Sequence, residues 1–89
     1  MSAVHTRQQT AQQTPDLQLS GLKAGERGQI IRIDNSDLEL ALLKMGVAVE
    51  DFVSFAGEAP FKGPIMIRVA QTKLSLRRED AQKIWINRR

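Results

Sequence analysis

The feature that most constrains the fold is a loop of prolines and glycine followed by two short runs of alternating residues. Pro60, Gly63 and Pro64 predict a rigid loop, because proline fixes φ and glycine reaches conformations closed to other residues. In residues 65–69 every second side chain is apolar, and the same alternation returns in residues 73–77. A period of two is typical of a strand with one buried face. The stretch therefore predicts a β-hairpin, to which the rest of the chain supplies further strands.

The composition sets narrow bounds on size and location. The 89 residues allow one small domain. Cysteine is absent, which excludes disulfides and thiolate metal sites and is consistent with a reducing compartment. No apolar run approaches the roughly 20 residues of a membrane span, and the N-terminus has no apolar stretch to serve as a signal peptide. We expect a soluble cytoplasmic protein with no membrane insertion of its own.

The N-terminal segment differs in composition from the rest of the chain. It is rich in glutamine and threonine and contains almost nothing apolar to bury. Such a segment does not offset the entropy cost of ordering. We therefore expect a disordered tail over residues 1–16 and a folded domain over residues 17–89. His5, the only histidine, lies in this tail, and a lone histidine makes a poor metal site, so we expect no metal site and no cofactor.

Five short strands, one helix and one helical turn are predicted. The strands cover residues 28–33, 49–56, 65–69, 73–77 and 83–87, with the helix between the first two strands and the helical turn before the last. Ser36 and Glu39 fit a capping box at the helix start, and Gly46 ends the helix. Five short strands leave bare edges in an open sheet, and curling into a barrel removes most of them. The pattern predicts a mainly β, SH3-like five-stranded barrel; the competing OB-fold usually places its helix between later strands.

The core is predicted from the inward positions of the strands and from the apolar face of the helix. Leu17, Leu19 and Leu22 are expected to cover one end of it. Its predicted members are Ile31, Ile33, Leu38, Leu42, Met45, Val53, Phe55, Ile65, Ile67, Val69, Leu74, Leu76, Ile84 and Ile86.

Three apolar residues fall outside this core. Leu40 and Leu43 point away from the buried face of the helix, so they either form a partner-binding surface or are covered by a loop or by the N-terminal turn. Trp85, the only tryptophan, is expected on the outward face of the last strand. It is either a binding anchor or a lid over an edge of the barrel.

The 58–64 loop is the principal candidate for a partner-binding site. Phe61 is held between two prolines, so exposing it costs little entropy on binding. The alternative is that Phe61 folds back over the open end of the barrel. Lys62 stands beside it and Arg68 lies on the next strand, and both would steer an acidic surface. We hypothesise that Phe61 anchors a protein partner.

Basic residues concentrate towards the C-terminus. Residues 62–89 carry eight basic and two acidic side chains, whereas residues 1–61 carry five basic and eight acidic ones. The split indicates an anionic partner, or it reflects only the need for polar residues at outward strand positions. Single-strand nucleic-acid binders combine basic residues with stacking aromatics, and this chain has few aromatics. Nucleic acid is therefore not the expected partner.

Four short motifs occur in an order and at a spacing that resemble a known family. They read LSGLKAGERG at residues 19–28, LLKMGV at 42–47, GPIMI at 63–67 and LSLRREDA at 74–81. Over residues 17–87 the chain resembles FeoA, ferrous iron transport protein A. The resemblance implies an SH3-like barrel in the bacterial cytoplasm. It also implies a partner, FeoB, the membrane transporter of ferrous iron that carries a cytosolic GTP-binding domain.

The expected function is that of a non-catalytic accessory protein of ferrous iron uptake that binds the FeoB transporter. FeoA-like domains also occur at the end of iron-dependent repressors, so a repressor-like regulatory module is one alternative. A nucleic-acid-binding small β-barrel is the other. No enzymatic activity is expected, since the chain has no cysteine or tyrosine and its only histidine lies in the tail.

Overall fold

Six antiparallel strands form one sheet in the order β1-β6-β2-β3-β4-β5 in the computed structural model, which describes residues 16–88. A 3-10 turn (Leu19–Gly21) follows β1, helix α1 (Ser36–Lys44) joins β2 to β3, and the helical turn α2 (Arg78–Ala81) precedes β6. The mainly β class, the helix and the late helical turn are confirmed, and the prediction of five strands is wrong by one. The strands are β1 (Asp16–Gln18), β2 (Arg27–Ile33), β3 (Phe52–Glu58), β4 (Ile65–Val69), β5 (Thr72–Leu76) and β6 (Ile84–Arg88).

The additional strand is β1, which pairs with β6 at the edge of the sheet. Asp16 lies opposite Asn87, and Leu17 lies opposite Ile86. Three residues are too few to show the alternation by which strands are recognised. Asp16, which was predicted to belong to the tail, is thus the first residue of this strand. The rest of the predicted tail, residues 1–15, lies outside the described residues.

Strand β2 contains a bulge that changes which isoleucine is buried. Its register against β6 shifts between Ile30 and Arg32. A bulge inserts one extra residue into a strand and interrupts its alternation. Ile30 is consequently 1% exposed and belongs to the core, whereas Ile31 is 37% exposed. The prediction of Ile31 as a core residue is wrong.

Helix α1 begins one residue earlier than the predicted capping box implies. The side-chain oxygen of Asn35 accepts a hydrogen bond from the backbone N–H of Leu38 at 2.8 Å. Asn35 has an extended backbone (φ −159°), and asparagine is among the best N-cap residues. Asn35 therefore takes the capping role that was predicted for Ser36.

The end of α1 is a Schellman motif that buries a residue beyond the helix. Gly46 has φ 86°, which confirms the predicted left-handed end. The N–H of Val47 donates to the carbonyl of Leu42 at 2.9 Å, and the residue in this position often makes an apolar contact back to the helix. Val47 is 1% exposed and Met45 is 50% exposed. The prediction of Met45 in the core is therefore wrong, and Val47 fills that place.

Buried residues of five strands (β2 to β6) and of both helices belong to one cluster, and the sheet curls around it. Leu38, Phe55 and Leu74 are partly buried against the cluster, as is Leu17. None of the helices within residues 16–88 is long and apolar enough to span a membrane. The buried members are Leu19, Leu22, Ile30, Ile33, Leu42, Val47, Val53, Ile65, Ile67, Val69, Leu76, Ala81, Ile84 and Ile86.

Candidate protein-binding surface

The 59–64 loop between β3 and β4 holds its aromatic side chain in solvent. Phe61 is 99% exposed, so the alternative that it folds back over the barrel is wrong. Phe61 and Lys62 have φ of 61° and 58°. A left-handed backbone is uncommon for residues with a Cβ and is an outlier for bulky ones. Such conformations persist only when the surroundings enforce them, and they cluster at functional sites.

Two backbone hydrogen bonds close this loop. The N–H of Gly63 donates to the carbonyl of Pro60 at 3.2 Å, and the N–H of Ala59 donates to the carbonyl of Pro64 at 2.9 Å. A Cβ at position 63 would lie 2.8 Å from the Cβ of Ala59. This close approach requires glycine, which agrees with the rigid loop predicted from the sequence.

Arg78, the first residue of α2, braces the loop from outside. Its Nε donates to the carbonyl of Lys62 at 3.3 Å, and its Nη2 donates to the carbonyl of Gly63 at 3.2 Å. The same guanidinium pairs with the carboxylate of Glu58, the last residue of β3. Sequence reasoning missed this role. The available signal was a cation at the start of a helical turn, where the backbone dipole favours an acidic residue.

The outer face of α1 presents a second apolar surface. Leu40 and Leu43 are 53% and 56% exposed, and Leu42 is the only residue of α1 that is fully buried. Residues three apart on a helix are neighbours on its surface, so these two leucines form one patch. The structure exposes both leucines, as a partner surface requires, and no loop within residues 16–88 covers them.

The exposed end of α1 and the 59–64 loop lie at opposite ends of β4. Met45 and Val47 line a shallow groove of about 350 Å³ together with Phe52 and Ala70. Ala70 is at the tip of the β4–β5 turn, whereas the 59–64 loop precedes the first residue of β4. The predicted partner-binding residues are thus divided between two surfaces.

Arg68 also lies away from Phe61. It is three residues along β4 from Ile65, which corresponds to roughly 10 Å, and it lines a groove with Arg27 and Phe52. The guanidinium of Arg27 stacks on the ring of Phe52 at 5.1 Å from the ring centre. Arg68 therefore belongs with this pair, and Lys62 is the cation that stands beside Phe61.

Trp85 is partly buried in a small cluster on the outside of β2 and β6. Its Nε1–H donates to Asp34 Oδ2 at 2.8 Å, and the guanidinium of Arg32 lies 5.0 Å from its ring centre. Arg32 Nε also donates to Asp34 Oδ1 at 2.8 Å. The Arg32 hydrogen bond, followed by that from Trp85, lowers the pKa of Asp34. These contacts favour the interpretation of Trp85 as a lid over the sheet, and a binding role for it stays a prediction.

The ion pair between Glu26 and Arg88 joins β6 to the residue that precedes β2. The Glu26 carboxylate accepts from the N–H of Lys23 at 2.9 Å and pairs with Arg88 at 2.9 Å. The Lys23 N–H, and after it Arg88, lowers the pKa of Glu26. Within residues 16–88 no three acidic or histidine side chains are grouped so that they could hold a metal ion.

Known proteins are similar to almost the whole of the described part of the chain. The family model of the FeoA domain matches residues 17–88. A curated relative, the fusion of Fe(2+) transport protein A with Fe(2+) transporter FeoB of Porphyromonas gingivalis, is 32% identical over 71 residues. The match covers 79% of this chain and 8% of the fusion protein, so the chain spans less than a tenth of that relative.

Solved structures share the fold. FeoA of Stenotrophomonas maltophilia in complex with zinc, described as a prokaryotic SH3 domain protein, has a TM-score of 0.67 at 20% identity, over 80% of this chain and 89% of that one. A manganese-dependent transcriptional repressor in complex with manganese has a TM-score of 0.76 at 20% identity, over 88% of this chain and 39% of that one. Identities this low bear on the fold alone, and the expected SH3-like fold is confirmed.

Proposed function

The chain belongs to the FeoA domain family, which is associated with ferrous iron transport, and we propose that it is a non-catalytic cytoplasmic accessory protein that binds a FeoB-type transporter. The relative in which both proteins form one chain supports this proposal, because a covalent fusion keeps its two parts together. The partner surface we propose is the cytosolic GTP-binding domain that the family resemblance implies for the transporter.

The observation that carries the proposal is the conformation of Phe61. The ring is 99% exposed, and its backbone is left-handed. Exposing a phenylalanine and holding it at positive φ both act against stability, and glycine or asparagine would suit the turn better. Binding offers an explanation that folding does not, because a rigid aromatic side chain fills a partner's pocket with little loss of entropy.

The surroundings of Phe61 fit an anchor with a charged rim. Arg78 fixes the loop through two carbonyls and Glu58, so the backbone that carries the ring is held in place before the partner arrives. Lys62 is exposed, and no ion-pair partner for its side chain is found within residues 16–88. We therefore propose Phe61 as anchor and Lys62 as the cation that steers an acidic surface towards it.

The experiment captures the transporter's cytosolic domain on the immobilised chain without nucleotide, with GDP and with a GTP analogue. Wild type is expected to retain the domain. Phe61→Ala is expected to keep the melting temperature, since no buried surface is lost, and to weaken binding roughly 30-fold, as for an interface hot spot. Lys62→Glu is expected to slow association most at low salt.

The matched control is Phe55→Ala, which removes a phenylalanine packed against the core. This variant is expected to melt earlier and to bind normally while folded. Failure of wild type to retain the domain under every nucleotide condition would refute the proposed partner. Equal binding by Phe61→Ala and wild type would leave the partner standing and remove the loop from the interface.

A further inference from the structure

Three cations stand in one row across the outside of the sheet. Arg27 lies opposite Ser54, Ser54 lies opposite Arg68, and Arg68 lies opposite Lys73. Directly opposed residues of antiparallel strands share a face, and Arg27, Arg68 and Lys73 are all exposed. Neighbouring strands are roughly 4.8 Å apart. The cation row, defined as Arg27, Arg68 and Lys73, therefore extends over roughly 14 Å perpendicular to the strands.

The strands that carry the cation row contain almost no acid. Glu58 is the only carboxylate in β2, β3, β4 and β5, and it pairs with Arg78 at the other end of β3. Glu26 and Asp51, which lie next to these strands, are engaged elsewhere. Glu26 pairs with Arg88, and the Asp51 carboxylate accepts the N–H of Ala48 at 2.8 Å. The positive charge of the row is thus not neutralised from within these strands.

The placement of Arg68 opposite Lys73 is unfavourable for the isolated domain. Like charges directly across an antiparallel pair destabilise a sheet, and any outward polar residue would satisfy folding at either position. An anionic partner would remove this repulsion and would gain from three cations held on a rigid sheet. The row therefore has a cost in the free chain that binding would relieve.

We infer that the cation row binds an acidic segment of a protein partner, one that places several carboxylates along the sheet. Arginine suits this role because its planar fork accepts a carboxylate in a bidentate arrangement. Sites for single-stranded nucleic acid need aromatic rings on which bases stack. Phe52 is the only outward aromatic side chain of these four strands, and Arg27 already covers it. The inference deepens the proposed function and rests on it, since the acidic segment would belong to the same transporter.

The direct test measures fluorescence anisotropy of three labelled probes with the full chain. The probes are a 12-residue peptide of alternating glutamate and serine, the same peptide with glutamine for glutamate, and a 12-nucleotide oligo-dT. The glutamate peptide is expected to bind, more weakly as salt rises. Arg68→Gln/Lys73→Gln should lower its affinity roughly 2- to 30-fold, because two exposed ion pairs are lost. The control Lys23→Gln/Lys83→Gln removes equal charge outside the row and should leave the affinity unchanged.

A second variant is expected to raise the stability of the domain and to weaken its binding of the glutamate peptide. Lys73→Glu turns the like-charge pair with Arg68 into an attractive one, so the melting temperature should rise by roughly 1 to 8 °C. The same variant should bind the glutamate peptide more weakly than Lys73→Gln does. A rise in melting temperature with unchanged peptide affinity would overturn the inference, as would an equal loss of affinity in the Lys23→Gln/Lys83→Gln control.

Binding of the transporter's cytosolic domain tests this inference separately from the proposed function. If that domain binds wild type and Arg68→Gln/Lys73→Gln equally well, the cation row is not part of the interface while the proposed partner stands. If the domain does not bind wild type, the proposed function fails first. Tighter binding of oligo-dT than of the glutamate peptide, lost in Arg68→Gln/Lys73→Gln, would assign the row to nucleic acid and refute the acidic segment.

Discussion

Replacement of Arg78 by alanine should release the 59–64 loop without unfolding the barrel. Among the described residues, the guanidinium is the one side chain that joins α2 to the carbonyls of Lys62 and Gly63 and to the carboxylate of Glu58. Without the guanidinium, both carbonyls can accept hydrogen bonds only from water, and the carboxylate of Glu58 loses its ion-pair partner. The buried cluster is untouched, because none of its members belongs to this contact.

The size of the effect follows from the exposure of the groups involved. The side chains of Arg78 and Glu58 are 26% and 45% exposed, and an ion pair this open contributes about 0.2–1 kcal/mol. The two hydrogen bonds to carbonyls are long, at 3.3 and 3.2 Å, and each contributes about 0.5–1 kcal/mol. Local opening of the loop should therefore become easier by about 1–3 kcal/mol, which corresponds to a roughly 5- to 150-fold larger open population.

Limited digestion with trypsin measures this population directly. Lys62 lies in the loop, and cleavage after it requires the loop to open. The rate of cleavage at Lys62, followed by mass spectrometry at low protease concentration, tracks the open fraction. Arg78→Ala should raise this rate 5- to 150-fold. Cleavage after Lys73, which lies within β5, reports opening of the sheet and should rise much less.

Arg77→Ala is the matched control for this experiment. Arg77 immediately precedes α2, and the one ion pair of its side chain within residues 16–88 is with Asp80 at 3.4 Å. Its loss should leave cleavage at Lys62 unchanged. Equal acceleration at Lys62 in Arg77→Ala and Arg78→Ala would refute the bracing role, as would no acceleration in either variant.

Four further outcomes are expected. Ile67→Ala, at a site that is 1% exposed, should lower the free energy of unfolding by about 2–5 kcal/mol. An unchanged thermal melt would show that Ile67 is not part of the core. Asp34 has a pKa below its ordinary value of 3.8, so its contribution to stability is complete above that pH and is lost as the pH falls through the lower folded-state value. Trp85 emission should therefore change only below pH 3.8, and Asp34→Asn should abolish this change. Removal of residues 1–14, which lie outside the described chain, should leave the melting temperature unaltered, and a clear decrease would contradict the predicted tail. Calorimetric titration with Fe²⁺ or Zn²⁺ should give no stoichiometric submicromolar site, and such a site would show that the expectation of no metal is wrong.

Patterns of period two and the apolar face of the helix predicted most of the core, and they failed where backbone geometry decides which residue is buried. Ile30 and Ile31 are chemically equal, so no periodicity distinguishes them. The bulge that buries Ile30 lies in the pairing of β2 with β6. Which isoleucine is buried thus depends on a strand far away in the sequence.

At the end of α1, the sequence contains the signal that identifies the buried residue. Gly46 was correctly assigned as the left-handed end of the helix. The apolar residue that follows a Schellman glycine commonly packs back against the helix, and Val47 does so while Met45 points into solvent. Reading positions 46 and 47 together would have corrected the core.

The surface could be predicted only in part for a similar reason. Phe61 stands out in the sequence because prolines surround it, but the prolines do not decide whether its ring is exposed or folds back over the barrel. Arg78 could not be assigned to the same site, since it lies 17 positions after Phe61 and reaches the loop only through the fold. The alignment of Arg27, Arg68 and Lys73 likewise depends on strand register, which the sequence does not state.

The distance between Phe61 and the cation row has a consequence for avidity. Each surface alone offers a small contact, and small contacts dissociate quickly. A partner long enough to reach both ends of β4 would bind the second surface at the effective concentration set by the segment between its own two contact points, which is in the millimolar range for a short flexible linker. A segment too short to span β4 would gain nothing from the second surface. The length of the partner's connecting segment, and not only its side chains, would then determine how long the complex lasts.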